Sequence, residues 1–219
     1  DIPSLTIVPV SDWLGDNIRQ SHLKDRDIQI IHNGIDIKTF SPQPKNAQER
    51  YGINKQKKII LGVAALWDAR KGLKDFYELA KRLPADVYAI VIVGQRTEDI
   101  KSLENACQMV FVDRTQNALE LAQLYSSASV FVNPTYQDNY PTTNLEAIAC
   151  GTPVITYKTG GSPEAVRDEV SDGFKEFSFD SAQDKRQVSG GTELYNTGMV
   201  IEQGNVVALA NAVMQMKDK

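Results

Sequence analysis

The chain has 219 residues, 42% of them hydrophobic, enough for one sizeable core or for one core plus a fragment of another. Its 24 basic and 28 acidic residues leave a formal charge of -4, and the basic ones are scattered, which argues against a nucleic-acid platform, since that needs a concentrated basic face. No run approaches the roughly 18 apolar residues of a membrane span, and the start, DIPSLTIVPVSDW, lacks a basic opening and a long apolar centre, so the expected location is cytoplasmic.

The first predicted elements are a strand, LTIVPV (5–10), and a helix, SDWLGDNIRQS (11–21). They are either the first unit of this domain or the tail of another. IQII (28–31) is a strand ahead of the turn HNGID, and KQKK (55–58) leads into the long apolar run KIILGVAAL (58–66). Leu73, Phe76, Ala80 and Leu83 form one helical face after Gly72. Further strands follow at VYAIVIVG (87–94) and MVFV (109–112). Ala118, Leu121, Ala122, Tyr125 and Ala128 share the next helical face, with Asn117 placed as its cap. VFVN (130–133) and PVITY (153–157) flank a helix that begins near Thr142 or Thr143, either of which suits its cap. Residues 167–196 are polar, without sustained period, and read as a long loop or insertion. GMVIE (198–202) then precedes a helix with Val206, Leu209, Ala210 and Val213 on one face.

Continuously apolar, β-branched runs alternating with helices predict an α/β fold, a Rossmann-like doubly wound parallel sheet. Such sheets bind ligands beyond the carboxyl ends of their strands, so the loops after strands are where chemistry is expected. Cys107 and Cys150 are too few for a disulfide framework, and no Cys or His cluster suggests a metal; both cysteines are expected to be small buried apolar residues.

Asp138 and Glu146 frame one candidate site. Pro141 keeps Tyr140 extended, so Asp138 falls on the loop after the VFVN strand and Glu146 in the opening of the next helix. Free N–H groups and the positive dipole end at that opening suit phosphate, and paired carboxylates suit the hydroxyls of ribose or a sugar. Glu146 by itself is equally consistent with a residue that only favours its own helix dipole. In TGGSPE, Gly160 and Gly161 allow a tight turn, Ser162 suits an N-cap and Pro163 a first helical position, which is also what a ligand-free turn needs. Arg70 and Lys71, after a buried strand and before a helix, supply cations for a diphosphate or else a solvated turn, and Trp67 is either core or a wall of the site. His22 and His32 have no Ser or Cys elbow beside them, and neither GxGxxG nor GxxxxGK[ST] occurs, so hydrolase, dinucleotide-oxidoreductase and P-loop readings lack support.

Taken together, VPVSDWL, IIHNGIDIKTFSP, LGVAALWDARKGL, VYAIVIVG, the stretch from LAQLYSSAS to YKTGGSPE, and TGMVIEQGNVVALANAV resemble the C-terminal half of retaining GT-B glycosyltransferases, in particular glycosyltransferase family 4. The resemblance implies the donor-binding domain, one half of a GT-B fold, holding a nucleotide-diphosphate sugar. It implies that Glu146 contacts the ribose, that Asp138 approaches the transferred sugar as the catalytic candidate, that Lys71 binds the diphosphate, and that backbone N–H groups around Thr143, Asn144 and Leu145 assist. It implies no metal and no cofactor besides the sugar nucleotide, with polysaccharide or glycoconjugate synthesis as the setting.

There are departures from the pattern. The first acid is usually Glu, and the Arg that usually precedes the Lys is absent near Ala65 or Leu66, where Arg70 is the nearest substitute. Residues 1–21 are expected to be the end of a missing N-terminal acceptor domain and 22–219 the donor domain. A partner half is then required, peripheral membrane contact is open for the full-length enzyme, and this chain is expected to bind donor weakly and to transfer a hexose poorly or not at all. A sugar-nucleotide epimerase domain and a non-catalytic binding domain are the alternatives. Transfer to an acceptor excludes the first, and affinity for a nucleotide sugar excludes the second.

Overall fold

The computed structural model describes residues 4–96, 106–167, 187–188, 192–195 and 197–216. In chain order the elements are β1 (Thr6–Ile7), α1 (Asp12–Arg19), β2 (Asp27–Ile28), α2 (Ala47–Arg50), β3 (Lys58–Trp67), a 3-10 turn (Ala69–Lys71), α3 (Leu73–Arg82), β4 (Tyr88–Arg96) and β5 (Gln108–Val112). There follow α4 (Ala118–Ser127), β6 (Val130–Asn133), α5 (Thr142–Ala149), β7 (Val154–Tyr157), α6 (Glu164–Arg167), β8 (Gln187–Val188), β9 (Thr192–Tyr195), β10 (Gly198–Ile201) and α7 (Val206–Gln215).

Among the described residues the main sheet runs β5-β4-β3-β6-β7-β10-β9-β8. From β5 to β10 every pairing is parallel; β9 and β8 continue the sheet antiparallel. The expected parallel sheet therefore stands, extended by an antiparallel edge, and β8 and β9 put two short strands inside the segment 167–196 that reads as a long loop or insertion. A Gly-Gly pair lying in the sequence between two short β-prone runs is the hairpin signal that the polar composition hid. Apart from Arg167, which ends α6, the remainder of that segment lies outside the described residues.

The sheet's period of two sorts its apolar residues between two cores. Ile60, Ile90, Ile92, Val130, Val132 and Ile155 point to the face covered by α3 and α7, where Phe76, Leu79, Leu209 and Val213 meet them. Their sequence neighbours Ile59, Leu61, Val91, Val93, Phe131 and Val154 point the other way, against Tyr125 of α4 and Ala147 and Ile148 of α5. Burial on both faces is why these strands read as unbroken apolar runs rather than alternating ones. Trp67 belongs to the core. It is buried, stands edge-on to Phe76 with centroids 5.5 Å apart, and donates its indole N–H to the Val93 carbonyl at 2.9 Å.

β1 and β2 pair parallel in a small separate sheet, with α1 as their crossover. The boundary expected after residue 21 falls inside this unit. Ser11 caps α1, its hydroxyl accepting from the Leu14 N–H at 3.1 Å.

Candidate functional site

β3 and β6 are neighbours, yet the chain leaves them in opposite directions along the sheet, β3 toward β4 and β6 toward β7. That reversal opens a crevice beyond the carboxyl ends of the two strands. The turn after β3 carries Lys71 and the loop after β6 carries Asp138. A left-handed Gly72, φ 73°, ends the turn, and a Cβ there would meet the Pro134 carbonyl oxygen at 2.1 Å. Glycine thus lets the two connections touch.

Their contact is an ion pair: Lys71 Nζ donates to Asp138 Oδ2 at 2.7 Å, with both side chains half-buried. Arg70 behaves differently. Its guanidinium turns back onto Asp68 at 2.7 Å, holding that carboxyl below its usual pKa, and stays 59% exposed. Leu66, near which the resemblance looks for an Arg, is an exposed apolar residue at the irregular end of β3.

On the opposite side of the loop, α5 starts at Thr142 after Pro141, with no side chain capping it. The Thr142 or Thr143 cap expected from the sequence is therefore replaced by Pro141, whose carbonyl takes the Asn144 N–H at 3.1 Å. Asn144 is fully buried; its side chain accepts from Asn133 at 2.8 Å and donates to the Ser162 carbonyl at 3.3 Å, tying the ends of β6 and the Gly-Gly turn to the helix. Thr143 and Leu145 are half-buried beside it. Glu146 Oε2 accepts from the Tyr125 hydroxyl at 3.0 Å. Burial raises the Glu146 carboxyl pKa above 4.5 and the Tyr125 hydrogen bond opposes that rise. No hydrogen bond among the described residues joins Glu146 to the Lys71–Asp138 pair.

The Gly-Gly turn closes the site from the third side. A Cβ on Gly160 would lie 2.0 Å from the Asp138 carbonyl oxygen and one on Gly161 1.8 Å from that of Asn139, so the acid-bearing loop rests directly on this backbone. Gly161 N–H donates to the Asp138 carbonyl at 3.2 Å. Ser162 is not the expected cap, since its buried hydroxyl has no hydrogen-bond partner among the described residues and the helix starts at Glu164.

Glu164 was not singled out from the sequence, and its partners explain why. Its carboxylate accepts from the backbone N–H groups of Asp12 and Trp13, at 2.8 and 2.9 Å, which are 152 and 151 residues away and open α1. His32 lies 3.6 Å from the same carboxylate and stacks on Tyr140 with ring centroids 4.7 Å apart. Asp12, His32 and Glu164 bring potential metal-ligand atoms within 4.8 Å of one another, but both Glu164 oxygens already serve the start of α1. His22 is exposed and joins no site.

The family model for glycosyl transferases group 1 matches residues 44–189. Among curated proteins, the chain is 31% identical over 160 residues to the N,N'-diacetylbacillosaminyl-diphospho-undecaprenol alpha-1,3-N-acetylgalactosaminyltransferase of Campylobacter jejuni, which covers 68% of this chain and 41% of that protein. Sucrose-phosphate synthase from Thermosynechococcus elongatus superposes with a TM-score of 0.70 at 22% identity over 96% of this chain and 48% of its own. Anabaena Alr3699/HepE, solved with UDP and glucose, gives 0.67 at 16% identity over 95% and 52%. The chain thus spans about half of each solved GT-B relative and about two fifths of the curated one. Since the matched segment contains the turn after β3, the Asp138 loop, α5 and the Gly-Gly turn, the chain belongs to the glycosyl transferases group 1 family.

Proposed function

We propose that this chain is the C-terminal, donor-binding half of a retaining glycosyltransferase of family 4, moving a hexose from a nucleotide-diphosphate sugar to an acceptor hydroxyl. The observation that carries the reading is the Lys71–Asp138 pair at 2.7 Å beside the uncapped start of α5. A cation, an anion and the N-terminus of a helix at one crevice match the parts of a sugar nucleotide.

In this reading the diphosphate takes the Lys71 ammonium and the N–H groups near Thr143, Asn144 and Leu145, which stabilise the charge that develops on the leaving group. Asp138, released from Lys71 or sharing it, faces the transferred sugar. Glu146 accepts from the ribose hydroxyls with its remaining lone pairs. Arg70 reaches the diphosphate after parting from Asp68. Neutralisation rests on these groups, with no metal. The acceptor half belongs to the longer enzyme, which works in polysaccharide or glycoconjugate synthesis on the cytoplasmic side, with peripheral contact to a membrane. The chain by itself binds donor weakly and transfers poorly, because a bisubstrate site needs both walls.

Calorimetric titration with UDP, GDP and ADP and their sugar conjugates tests the reading. One nucleotide is expected to bind, and Lys71→Ala and Glu146→Ala each weaken it about tenfold or more, as for a lost charged hydrogen bond. A well-folded chain on which neither substitution changes nucleotide affinity contradicts it.

A further inference from the structure

Asp75 is a buried carboxylate in the first turn of α3, four residues beyond Lys71. Its Oδ2 accepts two hydroxyls, from Tyr136 at 2.9 Å and from Tyr157 at 2.7 Å, and the two rings stand edge-on with centroids 5.7 Å apart. Neither donor is local: they lie 61 and 82 residues away. A charge-assisted hydrogen bond of this kind is stronger and more directional than a neutral one, and a buried carboxylate left without it is expensive.

The three residues belong to the three segments that build the crevice. Asp75 is on the helix entered from Lys71, Tyr136 is two residues before Asp138, and Tyr157 ends the strand that leads into the Gly-Gly turn. Tyr136 is also the most heavily tied residue of its loop. Its N–H donates to the Arg70 carbonyl at 2.6 Å, and its own carbonyl accepts from the Thr159 hydroxyl at 2.9 Å. Tyr157 is held by its strand ladder whether or not its hydroxyl is present. Its bond therefore orients Asp75, whereas the Tyr136 bond adds a side-chain tie from the loop to α3 beside the loop's backbone ties to Arg70 and Thr159.

We infer that Asp75 is a positioning residue for the donor site, fixing the Asp138 loop against the Lys71 turn through Tyr136. It touches neither substrate nor reacting atoms, and its use in transfer rests on the donor-site reading above. A residue that only stabilises the fold would make its two hydroxyl partners equivalent; a positioning residue makes them unequal.

The test uses Tyr136→Phe and Tyr157→Phe in this chain, with Asp75→Asn as a variant that keeps an acceptor oxygen. Two quantities are read: affinity for the nucleotide sugar, and the nuclear Overhauser effect between the Lys71 ε-protons and the Asp138 β-protons without ligand. Tyr136→Phe is expected to remove that effect and to weaken binding about tenfold, the size of a charged hydrogen bond, while Tyr157→Phe changes affinity less than about threefold. Asp75→Asn is expected to fall between them. Equal consequences from both tyrosine variants, or an unchanged Overhauser effect in Tyr136→Phe, overturn the positioning role. If the Overhauser effect responds as stated but the wild-type chain binds no nucleotide, the positioning of Asp138 stands and the donor-site reading falls.

Discussion

Gly161→Ala measures how closely the acid-bearing loop rests on the Gly-Gly turn. The added Cβ would sit 1.8 Å from the Asn139 carbonyl oxygen and 2.8 Å from Ser11 Cβ, so the first contact must widen by about 1.6 Å to reach the 3.4 Å of ordinary packing. Backbone on one side and a buried cap residue on the other leave no flexible side chain to yield. Overpacking of this kind costs about 1–3 kcal/mol, and loss of the Gly161 N–H bond to Asp138 adds about 1, for a total of about 2–4 kcal/mol. Two other glycines separate the contributions. Gly34→Ala meets nothing within 4 Å and has no positive φ, so it is expected to be neutral or to stabilise by about 0.4–1 kcal/mol. Gly52→Ala is equally uncrowded but has φ +64°, and isolates the left-handed backbone penalty of about 1–2 kcal/mol. Urea unfolding of the three variants gives the comparison. If Gly161→Ala costs no more than Gly52→Ala, the loop does not rest on the turn as described.

Glu146→Gln is expected to stabilise the chain at about pH 7. Burial raises the native carboxyl pKa above the unfolded 4.5, so between the two values the native state holds more protons and stability falls as pH rises. The advantage of the variant should therefore shrink as pH drops through that window toward 4.5, and a pH-independent difference in urea midpoints contradicts this origin. Glu164→Ala strips the two hydrogen bonds from the start of α1, and amide exchange in 12–19 should speed up about tenfold or more relative to β3 and β4. Uniform change across the chain would mean that Glu164 supports the whole fold instead. Cys107 and Cys150 are buried, so a thiol reagent should label both only after unfolding. Burst labelling of the native chain would refute their burial.

The fold was legible because β3, β4, β6 and β7 are buried on both faces, which leaves a one-dimensional trace in apolar, β-branched runs. Asn117 and Asn205 cap α4 and α7 through ordinary local hydrogen bonds, although only the first was expected. Lys71, Asp138 and Glu146 could be singled out because each sits at a strand end or helix entrance. Their chemistry suggested sugar hydroxyls for the acids and a diphosphate for the lysine, and the resemblance assigned each acid its part. What stayed hidden was long-range. Asp75, Tyr125 and Glu164 are ordinary residues in their own segments, and their partners lie 61 and 82, 21, and 151 and 152 residues away. The cap at α5 was misassigned because Thr142 and Thr143 have the right chemistry, but both lie inside the helix that Pro141 begins. The short antiparallel edge strands were missed because a polar segment masks the Gly-Gly signal, and their order comes from pairing, β9 with β10 and β8 with β9.

The order β5-β4-β3-β6-β7-β10 has a consequence for synthesis. The sheet starts at its middle and grows outward, first toward β5 and then, from the other edge of β3, toward β10. β4 and β5 complete one flank while the second edge of β3 still awaits β6, whose first residue comes 63 positions after Trp67. At about 5–20 residues per second, that apolar edge has no partner for roughly 3–13 s at the ribosome. Unpaired edges of this kind template aggregation, so β3, the first strand of the main sheet to be made, is the one that a nascent-chain chaperone has most reason to cover.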